Sequence, residues 1–234
     1  MSETFLLIAV FKFVLLVFSL SVHECAHAWM ASRLGDQTAR LQGRVTLNPM
    51  YHIDPIGTLL YPALTLLVFR GSVLFGWAKP TPVITRNFKN IVRDDNLTTL
   101  ACPVSNLLLT LVAFLVLAGI EVTVPGGREL VLSPFGGIQP DALSSTLGAI
   151  VVLALLAIEL NLTLFFFNLF PVPPLDGSRI VRNMLPYNAM QAYDKISGIG
   201  SWVVMIAMGW LLLPLLMGPS LSVIFGILSI LPGK

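Results

Sequence analysis

The 38 residues from Ile196 to Gly233 contain no Asp, Glu, Lys or Arg. About 20 apolar residues span the hydrocarbon core of a bilayer, so a run of this length does not suit a water-soluble fold. It predicts one full crossing and a shorter return, divided near Pro214, Gly218 and Pro219, where proline interrupts helical hydrogen bonding. Other stretches repeat the pattern. Residues 4 to 22 carry only Lys12 as a charge, residues 96 to 120 carry none, and residues 142 to 175 carry only Glu159. Pro55 to Phe69 is also uncharged, but its 15 residues are short for a crossing and suit a re-entrant piece.

These segments predict an all-α polytopic membrane protein of about five to six transmembrane helices, with one re-entrant segment. Residues 1–234 read as a single membrane-embedded domain, its core at about 4–180 and its C-terminal helices at 196–232. The composition agrees: 11% of residues are charged, against about 25% in a soluble domain. A net charge of +2 gives no basic footprint for nucleic acid, so the lipid bilayer is the expected environment. Two cysteines, Cys25 and Cys102, exclude a disulfide-stapled scaffold. Residues 5 to 22 resemble the apolar part of a secretion signal, but Met1-Ser2-Glu3 has no basic residue and Lys12 interrupts the run. The first segment is therefore expected to stay in the structure. Of the polar stretches, 33–54 and 70–95 read as short strands and turns, most clearly 38–47, and 121–141 reads as a hairpin-like loop.

The chemistry concentrates in His23-Glu24-Cys25-Ala26-His27. Residues four apart share a helix face, so His23 and His27 can offer two imidazoles to one metal ion. Glu24 lies about 100° around the helix, near enough to accept a proton from an activated water. Cys25 falls near the opposite side and is a poor ligand. The motif ends a membrane segment, where ionisable groups are costly and usually functional. Catalytic zinc takes three protein ligands and keeps one position open. A candidate third is Asp176, which follows the helix-breaking run Pro171-Val172-Pro173-Pro174-Leu175; Asp-Gly is equally a common turn. Asn106, Asn161 and Asn168 are primary amides within apolar segments, suited either to a site or to interhelical hydrogen bonds.

Together, His23-Glu24-x-x-His27, Pro103-x-x-Asn106 and Asn168-x-x-Pro-x-Pro-x-Leu-Asp176-Gly177 resemble the site-2 proteases, zinc intramembrane metalloproteases. Asn48-Pro49-x-x-His52-Ile53-Asp54-Pro55 and Gly76-Trp77-Ala78-Lys79-Pro80 resemble a small subgroup without PDZ or CBS domains. The resemblance implies that His23, His27 and Asp176 bind one zinc ion per chain and that Glu24 is the general base. It further implies that Asn106 and Asn168 position the substrate or the oxyanion, and that the substrate is a single-span membrane protein. Cys102 departs from the pattern, standing where the family usually has glycine. His52, the third histidine, reads as a structural loop residue.

If zinc joins residues 23–27, 106 and 176, these points share one membrane face, and residues 55–69 dip in without crossing. Eleven of the 14 basic residues fall on that side, which the positive-inside rule makes cytoplasmic, in a plasma-membrane protein. Lys12 and Glu159 then lie at similar depth and could pair. An unwound substrate could add to residues 38–47 as a strand. A transporter would also show broken helices with polar groups at mid-membrane, but leaves Glu24 without a role.

Overall fold

The computed structural model describes residues 3–68, 76–133, 143, 145–195 and 198–233. Four helices are long and apolar enough to cross a membrane: α1 (Glu3–Leu34), α4 (Ile91–Thr123), α6 (Thr146–Asn168) and α9 (Ile199–Ile230). Shorter helices join them: α2 (Thr38–Leu41), α3 (Tyr61–Val68), α5 (Gly127–Leu132), α7 (Asp176–Met184) and α8 (Tyr187–Tyr193).

Local chemistry sets the ends of these helices. α1 stops at Gly35, whose φ of 122° a side chain would rarely adopt. Asn90 caps α4 by accepting the Arg93 N–H, and Ser145 caps α6 by accepting the Gly148 N–H. α4 sits centrally, antiparallel to both α1 and α6. Its Leu117 and Ile120 pack with Val151, Ala154 and Ile158 of α6, Val131 of α5 and Leu228 of α9. A second cluster joins Leu16 and Leu20 of α1 to Leu164 of α6 and Ala78 of the connecting loop.

Three expectations change. Over its described part the charge-free C-terminal run forms one continuous helix, α9, with Pro214 and Pro219 inside it. Each proline forfeits one backbone hydrogen bond, a loss that membrane helices tolerate. The candidate crossings among the described residues therefore number four. Residues 38–47 form no strand, and the described residues contain none: α2 is a single helical turn, closed by Gly43 at φ 72°. Its start is fixed by Asp36, whose carboxylate accepts from the Thr38 N–H and hydroxyl. The Asp36 carboxyl also receives the Ile84 N–H and the Asn87 amide. Burial alone would raise its pKa, but these hydrogen bonds outweigh burial and lower it. The 121–141 stretch contains α5 rather than a hairpin over its described part, and residues 134–141 lie outside the described residues.

Residues 55–68 are a short apolar helix, a wide π-helical turn at Pro55–Leu60 running into α3. Asp54 starts it by accepting the Ile56 and Gly57 N–H groups. Gly57 is needed for packing, because a Cβ there would lie 2.2 Å from the Trp77 ring nitrogen. Trp77 is thereby held between Tyr61 and Trp202, beside the site.

Candidate metal centre

α1 presents His23 and His27 one turn apart, with ring centroids 5.4 Å from each other. Asp176 reaches them because the chain leaves α6 through three prolines and doubles back as α7. Phe170, Val172 and Leu175 in this passage pack on Met205 of α9. Gly177 permits the return: a Cβ there would sit 2.2 Å from the Leu169 carbonyl oxygen. Arg179 pairs with Asp95, and Asn183 donates to the same carboxylate at 2.7 Å, so α7 is fastened to α4. The result places His23 Nε2 3.1 Å from Asp176 Oδ2 and His27 Nε2 3.1 Å from Asp176 Oδ1.

A buried relay determines what those atoms carry. The backbone carbonyl of Ala157 can only accept, so the Asn161 amide donates to it, at 2.9 Å. Asn161 Oδ1 therefore faces Asn106 and accepts its amide N–H, at 2.9 Å. Asn106 Oδ1 is then left to accept from His23 Nδ1, at 2.8 Å. Three helices thus place a proton on His23 Nδ1, so that a neutral His23 would turn its Nε2 lone pair toward Asp176. A nitrogen lone pair and a carboxylate oxygen 3.1 Å apart need a shared cation, either a proton on Nε2 or a metal ion. Asp176 Oδ2 indeed has no hydrogen-bond donor, and neither does the buried His27 Nδ1. One nitrogen from each of His23 and His27, an Asp176 oxygen and Cys102 Sγ all lie within 4.8 Å of one another. Two imidazoles and a carboxylate are a ligand set that suits zinc. The residues fit the ion.

Glu24 lies beside this cluster in a cavity of about 390 Å³ that also receives Asn168, Trp77, Arg179 and Trp202. Its Oε2 accepts the Thr81 N–H at 2.8 Å, and its own carbonyl accepts the Thr81 hydroxyl at 3.2 Å. One carboxylate oxygen is thereby pinned while the other is left to the cavity. Asn168 donates to the Leu164 carbonyl at 2.9 Å and lines the same space.

The structure therefore gathers His23, Glu24, His27, Asn106, Asn168 and Asp176 around one cavity and its wall. Asn106 is fully buried, with its carboxamide engaged by His23 and Asn161. His52 is elsewhere: its Nε2 meets the Thr46 carbonyl at 2.8 Å, in a loop tied down by Lys79 N–H on the His52 carbonyl. Cys25 lies outside the ligand cluster. Asn161, an amide already noted for its place in an apolar segment, joins the site through Asn106. One participant is new: nothing in the sequence around Thr81 links it to Glu24.

The sequence pattern described as peptidase family M50 matches residues 11–212. A Bacillus subtilis (strain 168) protein, "Putative zinc metalloprotease YwhC", is 37% identical over 191 residues, covering 82% of this chain and 76% of its own. "Putative zinc metalloprotease Rip2" of Mycolicibacterium smegmatis (strain ATCC 700084 / mc(2)155) is 32% identical over 91 residues, covering 39% of this chain and 33% of its own. No solved structure matches. With the pattern reaching from the middle of α1 into α9, and with His23, Glu24, His27 and Asp176 brought to one point, the chain belongs to peptidase family M50, the site-2 protease family that its motifs resemble.

Proposed function

We propose that this protein is an intramembrane zinc metalloprotease that hydrolyses peptide bonds in or near the transmembrane segment of a single-span membrane protein. The observation that carries the reading is the convergence of His23 and His27 of α1, a candidate membrane-crossing helix, with Asp176 at the start of α7 and Glu24 alongside. His23 Nε2, His27 Nε2 and the Asp176 carboxylate would hold one zinc ion. When bound there, zinc lowers the pKa of water toward about 7 and polarises a carbonyl.

The chain's own groups supply the rest. Thr81 holds Glu24 Oε2, so Oε1 accepts the proton of the attacking water and passes it to the leaving amine. Asn106 and Asn161 orient His23. Asn168, on the cavity wall, is placed to donate to substrate backbone or to the developing oxyanion. A helical substrate hides its carbonyls and must unwind to reach Glu24. The basic residues around the site support a cytoplasmic active-site face in the plasma membrane.

The test is cleavage of a membrane substrate by wild type and Glu24→Gln, with zinc measured in both. We expect equal zinc and no cleavage by the variant. Retained cleavage would sink the mechanism.

A further inference from the structure

Cys102 occupies a position the proposed reaction does not use. It lies on α4 one turn before Asn106, so both project from the same face, toward α1. Asn106 meets His23 there, and the Cys102 sulfur joins the nitrogens of His23 and His27 and an Asp176 oxygen within 4.8 Å. The residue is completely buried. Its thiol donates to the Thr98 carbonyl at a long 3.9 Å.

A thiol that merely filled space would do so as a small apolar group. Here it is placed among metal-ligand atoms. Zinc–sulfur bonds of about 2.3 Å and zinc–nitrogen bonds of about 2.0–2.1 Å put tetrahedral neighbours roughly 3.5 Å apart. The cluster is already within about 1.3 Å of that separation. Two nitrogens, one oxygen and one sulfur complete four-coordination, the pattern of closed zinc sites rather than of sites open to water.

We propose that Cys102 is a fourth metal ligand that closes the centre in the resting protein and makes the protease latent. The inference rests on the metal centre described above. As the sulfur–metal bond forms, the S–H proton is released to solvent. When water displaces the sulfur, the thiolate takes up a proton and the position opens. No oxidant or reductant takes part. Glu24 can act only in the open form, so the balance between thiolate and water sets the fraction of active enzyme.

Cobalt substitution of the full-length protein in detergent tests this. Cys25 is the other thiol in the chain, so Cys25→Ala leaves Cys102 as the one possible sulfur ligand. Wild type and Cys25→Ala loaded with one cobalt(II) per chain should both show an intense near-ultraviolet sulfur-to-cobalt charge-transfer band. Cys102→Ala should bind cobalt without the band, lose zinc to a chelator roughly ten- to a hundredfold more readily, and cleave substrate several-fold faster. Should that variant fail to fold, the Cys25→Ala spectrum still decides. Stoichiometric cobalt in Cys25→Ala with no such band would overturn the proposal while leaving the metal centre intact. No cobalt bound in wild type would overturn the metal centre itself.

Discussion

Two buried carboxylates mark opposite ends of the helical bundle, and they are served differently. Glu121, fully buried at the far end of α4, has Arg128 3.5 Å away as a counter-ion from its own chain. Arg128 also donates to the Ser229 and Leu231 carbonyls, closing the C-terminal end of α9 against α5. Asp176 instead faces two imidazoles, one of them with its tautomer fixed by Asn106 and Asn161. Neither Glu121 oxygen has a hydrogen-bond donor, but a guanidinium of the same chain stands beside them, whereas the Asp176 carboxylate meets only imidazoles and is arranged for a cation from outside. A buried acid is therefore a sign of function when its partners present lone pairs, and of architecture when they present a charge.

The largest expected effect lies at the architectural end. Arg128→Met leaves Glu121 buried with no cation beside it and drops two hydrogen bonds to the end of α9, together a loss of roughly 2–3 kcal/mol with Arg128 itself partly exposed. The variant should melt far below wild type in detergent while the folded fraction retains zinc. Equal melting would dissolve the contrast between the two ends. Next is the relay: Asn161→Leu frees Asn106 and with it the His23 tautomer. Zinc affinity should fall about ten- to a hundredfold although no ligand has changed, and excess zinc should restore cleavage. Unaltered affinity in a chelator competition would remove the relay from the account.

Thr81→Pro deletes the N–H that pins Glu24. A hydrogen bond to a charged group contributes about 1.5–3 kcal/mol, so kcat should drop at least about tenfold with zinc content unchanged. A fall in zinc content instead would mean that the loop supports the ligands rather than the base. The smallest effect is at Asp36. Its lowered folded-state pKa means that it binds its proton more readily in the unfolded chain. The stability this gives is complete above pH about 4 and is lost as the pH falls through the folded value. Asp36→Asn should lower stability by roughly 1 kcal/mol at neutral pH and flatten the acid limb of the melting profile; an unchanged acid limb would contradict this.

Much of the centre was legible because it is local. His23, Glu24 and His27 sit on one helix, where spacing alone tells which side chains share a face. Asp176 was legible through prolines that no helix could carry forward. Asn106 was found as a polar residue in an apolar segment, but its partner lies 55 residues away on α6, beyond any periodicity. Thr81 is 57 residues from Glu24 and speaks through its backbone, which leaves no trace in residue type. The misreadings have physical causes too. Residues 38–47 alternate loosely like a strand, yet the Asp36 carboxylate takes the Thr38 N–H and starts a helical turn. Pro214 and Pro219 would end a helix in water, but α9 continues through both of them.

Zinc per chain in freshly isolated wild type, Asp176→Ala and Glu121→Gln tests the central claim most directly. One zinc in wild type and in Glu121→Gln, with none in Asp176→Ala, is the predicted result. Equal zinc in all three, or none in wild type, would contradict it.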